Sequence, residues 1–250
     1  MIERRLVPLV AAAMLLCALS SAQAALVYDI RFDDSDTSGG YVSVPGQTVT
    51  LDLFARVTGI DNSMAAVEGF QEGYGSIMAT LTGDISGSIS STLAAPFQAS
   101  GSQGGHANNL DGDSVLDIGS NQTVQNSDFI FARATQIQST GGTPTLAGDG
   151  MEFKLATITF TLGTGDQPFT YGSTLHIGFA LPNFTSLTSV TALWMEDGVY
   201  QVSSMGSTAV PTVGAGITLT AIPEPSSALL LGVGVLVAGA VRRRRTGQSI

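Results

Sequence analysis

The chain has 250 residues, 44% hydrophobic and only 12% charged, with a formal net charge of −10 and a mean hydropathy of +0.29. Residues 25–222 carry only Arg31, Arg56, Arg133 and Lys154 as bases against 18 acids, which excludes a nucleic-acid-binding face, because phosphate contacts need clustered bases. This hydrophobic fraction also excludes a disordered chain, and those 198 residues suffice for one domain whose core needs no disulfide.

Met1–Ala24 reads as a secretory signal helix. Arg4 and Arg5 form a basic start, Leu6–Leu19 is a short apolar run, and Ala22-Gln23-Ala24 is a small-residue cleavage site that predicts Ala25 as the mature N-terminus after signal peptidase. The one cysteine, Cys17, lies inside this segment, and Leu16 before it does not fit a lipoprotein box. The mature chain therefore has no thiol chemistry, no disulfide and no cysteine-ligated metal.

Residues 25–222 are rich in Thr, Ser and Gly, and their apolar residues alternate. Val49, Leu51, Leu53, Ala55 and Val57 share one face of a strand, as do Ala156, Ile158, Phe160 and Leu162, and Leu175, Ile177, Phe179 and Leu181. Period two with β-branched residues predicts half-buried antiparallel strands. Further strands are expected over Leu26–Phe32, Gly75–Leu81, Phe129–Gln138, Val190–Met195 and Val213–Thr220. Pro45-Gly46, Gly141-Gly142 and Asp197-Gly198 read as turns, and Ala65–Gln71 could hold a helical turn. The expected fold is all-β, a single antiparallel β-sandwich of jelly-roll or immunoglobulin-like type.

Few constellations in this domain carry chemistry. Asn109-Leu110-Asp111-Gly112-Asp113-Ser114-Val115-Leu116-Asp117 spaces oxygen side chains around a glycine. Asn109, Asp111, Asp113 and Asp117 could wrap Ca²⁺, although Ser114 and Ser120 stand where an EF-hand needs Gly and Glu. The same residues equally suit a loop whose side chains cap its own backbone. Asp33-Asp34-Ser35-Asp36 is a second acidic turn of the same ambiguity. Trp194 is the sole tryptophan; with Tyr200 beyond the turn it could form a sugar-stacking pair, or it could be core. His106 and His176 are the only histidines, no Gly-x-Ser-x-Gly elbow occurs, and the carboxylate pairs Glu68/Glu72 and Glu196/Asp197 are formal candidates for glycoside chemistry only. The expectation is a protein that is not an enzyme.

The last residues, 223–250, form a three-part tail. Pro223-Glu224-Pro225 is stiff and extended because proline fixes φ and restricts its predecessor. An apolar run follows, with a transmembrane helix expected over about residues 226–241; its Ala228–Val241 part would span about 21 Å at ~1.5 Å per residue, short for a ~30 Å bilayer core. Arg242, Arg243, Arg244 and Arg245 stop translocation and hold this end on the cytoplasmic side.

Pro223-Glu224-Pro225, the Gly-dotted run Leu229–Gly239 and Arg242–Arg245 together closely resemble the PEP-CTERM sorting domain of Gram-negative bacteria. The resemblance implies recognition and cleavage by an exosortase, a membrane-embedded cysteine transpeptidase-like enzyme, in bacteria that make exopolysaccharide. The logic parallels a GPI signal, whose tail is held in the membrane and then removed. A second resemblance covers about half of the central domain: Tyr41–Leu53, opening on the Pro45-Gly46 turn, and the strand Phe153–Leu162 are similar to cohesin-like sandwich domains. It implies the fold and an adhesive character, without a partner.

Taken together, these features predict a secreted, exosortase-processed, non-enzymatic surface or exopolysaccharide-matrix protein. Its location would be the inner membrane as an anchored intermediate, then the cell surface or matrix. The alternative is a carbohydrate- or protein-binding adhesive module, stabilised by calcium if the acidic loop holds it.

Overall fold

The computed structural model describes residues 25–59, 68–139, 143–144, 150–165, 168–186 and 189–224. The signal segment and the apolar and arginine parts of the tail, with their expected helices, lie outside these residues, as do Ala22, Ala24, Pro225 and the Gly141-Gly142 turn.

The regular elements among the described residues are all strands. In order they are β1 (Ala25–Phe32), β2 (Tyr41–Val42), β3 (Thr48–Thr58), β4 (Gly69–Thr82), β5 (Gly87–Leu93), β6 (Ala107–Asn108), β7 (Asp117–Ile118) and β8 (Ile130–Gln138). There follow β9 (Thr143–Pro144), β10 (Gly150–Leu162), β11 (Thr174–Ala180), β12 (Val190–Glu196), β13 (Val199–Ser204), β14 (Thr212–Val213) and β15 (Ile217–Ala221). One sheet runs β14-β1-β3-β10-β5, with β9 on β10. The other runs β13-β12-β4-β11-β15-β2, with β7 and β8 on β4 and β6 on β7. The expected antiparallel sandwich needs one correction. The sheets are mixed, because two short edge strands pair in parallel, β14 with β1 and β2 with β15.

Alternation decides which faces meet. Leu26, Tyr28 and Ile30 of β1, and Val49, Leu51, Leu53, Ala55 and Val57 of β3, are buried against Phe70, Ile77, Leu175 and Ile177 of the second sheet. Aromatic rings join the two sheets: Tyr28 stands 4.5 Å from Phe179 and 6.2 Å from Phe70, which is 6.4 Å from Phe153. Each buried ring contributes roughly 1.5–3 kcal/mol of transfer free energy, so this seam is a main source of stability.

The glycines of β4 serve the seam. A side chain at Gly73 would collide with the hydroxyl of Tyr28, and one at Gly75 with the ring of Phe179. They therefore leave room for the tips of two aromatic rings, and β4 runs well beyond the expected Gly75–Leu81. Its first residues, Gly69–Gln71, are strand, where the sequence allowed a helical turn.

The two ends of the sandwich differ in what enters and leaves. At one end Ala25 pairs with Thr58, and Gly59 lies beside Asp197 of the β12–β13 turn. At the other end Gly46 donates to the carbonyls of Leu162 and Gly163, Gly163 to Ser86, Ser86 to Pro168, and Thr170 to Asp84. The chain leaves the domain at this second end, after β15.

Candidate functional site

The exit is built around Ala221. Gly216, at φ +70°, turns the chain into β15, and Gly172, at φ +85°, turns it into β11, so the two strands run antiparallel with Thr174 opposite Thr220. Ala221 is 1% exposed and pairs in parallel with Val42. Its N–H donates to the Ser173 carbonyl at 2.9 Å, its carbonyl accepts from Gly172 at 2.8 Å, and Ile222 N–H reaches the Val42 carbonyl at 3.0 Å. Pro223, one residue on, is exposed. The folded ladder thus ends immediately before Pro223-Glu224.

Residues 221–245 match the PEP-CTERM protein-sorting motif. This chain carries an exosortase-type sorting signal. The match begins on the last residue of β15, so the PEP-CTERM motif follows the sandwich with no linker. The motif implies export and membrane-associated sorting of the kind found in Gram-negative bacteria. No curated protein and no solved structure matches the chain significantly, so the cohesin-like segments remain a resemblance of sequence only.

The acidic loop is organised by its own backbone. Asp117 is fully buried, with Oδ1 accepting from Ala79 N–H at 2.7 Å and Oδ2 from Leu110 N–H at 2.6 Å. Asp113 Oδ2 accepts from Leu81 N–H at 2.8 Å and Oδ1 from Val115 N–H at 2.7 Å. Asn109 Oδ1 accepts from Gly112 N–H, and Asp111 Oδ1 from Asp113 N–H. Burial pushes the Asp117 carboxyl up, while its amide donors pull it down. These bonds suit the self-capping loop, one of the two readings that the sequence left open. The oxygens of Asp113 and Asp117 face amides, and among the described residues no group of three or more His, Cys, Asp or Glu is placed to hold a metal ion. The loop stitches itself to β4 through Ala79 and Leu81. At the other acidic turn, Asp36 caps Ser38 and Thr50, and Asp33 is held down to about 2 by hydrogen bonds from Ser35, with Lys154 nearby.

Trp194 and Tyr200 lie on opposite faces of the β12–β13 hairpin. Trp194 is 2% exposed and faces Gln201 across the hairpin, whereas Tyr200 faces Met195 and is 63% exposed. Neighbouring positions on a strand point to opposite faces, so the two rings cannot share a platform. Trp194 Nε1–H donates to Glu196 instead. Asp197 (φ +46°) and Gly198 (φ +76°) form the expected two-residue turn.

The histidines stand apart: His106 Nδ1 lies 3.1 Å from Asp128, and His176 Nδ1 lies 3.3 Å from Thr218. Glu72 pairs with Arg133 at 3.1 Å on the outer face of β4, away from Glu68, which is buried. Glu68 and Asp197 both lie beside Gly59, where a side chain would strike both carboxylates.

One feature escaped sequence reasoning. Arg31, Arg56 and Lys154, three of the domain's four bases, project from the outer face of the first sheet. Arg31 pairs with Asp29 at 2.8 Å and bidentately with Glu152, and its guanidinium stands 4.9 Å over the Phe54 ring. Lys154 lies 2.7 Å from Asp52. The cross-strand registers Arg31↔Asp52 and Lys154↔Phe54 would have revealed this face had the pairing been known.

Proposed function

We propose that this chain is an exported, exosortase-processed surface or exopolysaccharide-matrix protein, whose sandwich is a structural domain and not a catalytic one. The observation that carries the reading is the position of the sorting motif, which starts on the last residue of β15. A folded domain followed at once by a stiff Pro-Glu-Pro, an apolar run and four arginines is suited to delivery across a membrane and retention there until cleavage.

A structural role for the sandwich is supported by how its polar groups are used. The loop carboxylates cap backbone amides, Arg31 and Lys154 of the outer face pair with Asp29, Glu152 and Asp52, and His106 and His176 lie at hydrogen-bond distance from Asp128 and Thr218. The core position of Trp194 supports the structural reading over sugar stacking on that ring. The tail is tested by changing Arg242, Arg243, Arg244 and Arg245 together to Gln in an exosortase-bearing host. Processing should fall while the melting temperature of the domain stays unchanged. Unimpaired processing would overturn the assignment of these arginines.

A further inference from the structure

We propose that the exit end of the sandwich is a bilayer seat: while the tail is membrane-held, Tyr171 and Val44 rest in the interfacial layer of a phospholipid membrane. This rests on the tail reading above. Ala221 is flanked on one side by Val42, two residues before Val44, and on the other by Gly172, next to Tyr171. Val44 is 46% exposed and Tyr171 61% exposed, both beside the point where the chain leaves. Tyr171 stands 5.6 Å from Phe169, which packs on the core, so its ring projects from a fixed base. A tyrosine with an apolar body and a polar tip suits the boundary between headgroups and acyl chains.

The tether makes this contact hard to avoid. Only residues 223–227 separate Ile222, still bonded to Val42, from the apolar run starting at Ala228. Five extended residues reach at most about 17 Å, and the headgroup layer takes up roughly 5–7 Å of that on one side of the bilayer. The exit end is therefore held within about 10 Å of the headgroups, and any bend brings it into them. Exposed apolar residues also occur at the far end, such as Val199 and Tyr200, and scattered ones need no partner. The short tether is what singles out Val44 and Tyr171. With 18 acids against four bases in the domain, the surface that suits it is zwitterionic, not anionic.

The test uses the full chain with Cys17→Ala, bearing a nitroxide label at Tyr171→Cys, Val44→Cys or, at the far end, Val199→Cys. Each is reconstituted in phosphatidylcholine vesicles, and label collisions with dissolved oxygen and with a water-soluble nickel chelate are compared. The labels at 171 and 44 should show several-fold higher oxygen-to-nickel ratios than the label at 199. Equal ratios in a chain that floats with the vesicles would overturn the seat but leave the tail reading standing. A chain that does not float would overturn both. A label buried at 199 instead would also overturn the seat, because Val199 lies at the end where Ala25 pairs with Thr58.

Discussion

Trp194 donates its indole N–H to Glu196 two residues further along β12, with both side chains buried in the same face of the sheet. Burial raises the Glu196 carboxyl above the usual range; the indole N–H lowers it in part, and Asp197 raises it again. A buried carboxyl of this kind keeps its proton in the fold after the unfolded chain, near pH 4.3, has lost its own. Its contribution is therefore full below that range and falls as pH rises through the raised value. Glu196→Gln keeps an acceptor for Trp194 and removes the charge. We expect its melting temperature to exceed the native one at pH 7 and to converge with it near pH 4. An unchanged slope of stability against pH would contradict the burial argument.

Tyr28 carries a hydroxyl that is fully buried, without a hydrogen-bond partner among the described residues. An unmade buried hydrogen bond costs about 1–3 kcal/mol, so Tyr28→Phe should be neutral or stabilising. Gly73→Ala should destabilise by about 1–3 kcal/mol through overpacking against that hydroxyl, and the double variant should recover part of the loss. Chemical denaturation of the four proteins gives the coupling. Strict additivity would mean that Gly73 does not serve Tyr28.

The Asx loop predicts calcium independence. Its carboxylates already accept amide hydrogens, so the melting temperature should be the same in excess chelator and in millimolar-range calcium. Asp117→Asn places an amide NH₂ against a backbone donor, Ala79 or Leu110, and should cost about 1–3 kcal/mol under either condition. A rise with calcium that Asp113→Ala abolishes would restore the cation site.

The strands that the sequence showed plainly were those with one buried face. β3, β10 and β11 alternate because every second side chain enters the core, and their registers follow. β5 was missed because Ser88, Ser90, Ser91 and Thr92 leave only Ile89 and Leu93 as its buried residues. β13 was missed because Val199, Tyr200 and Val202 are exposed on an edge strand, which breaks the expected pattern. The expected strand Val213–Thr220 divides into β14 and β15 because Gly214–Gly216 carry the chain from one sheet to the other. Trp194 was ambiguous because one aromatic suits a core or a rim equally until strand register is known. The acidic loop was ambiguous because oxygen side chains around a glycine serve a cation or backbone amides with the same spacing. The sorting motif was legible because its information is linear and needs no tertiary partner, and residues 221–245 match it.

Export and sorting are tested most directly by the intact mass of the protein recovered from an exosortase-bearing host. The account predicts a species that starts at Ala25, where β1 begins, and ends within residues 222–227, just past the last buried residue of β15. A mature species that retains Arg242–Arg245 would contradict it.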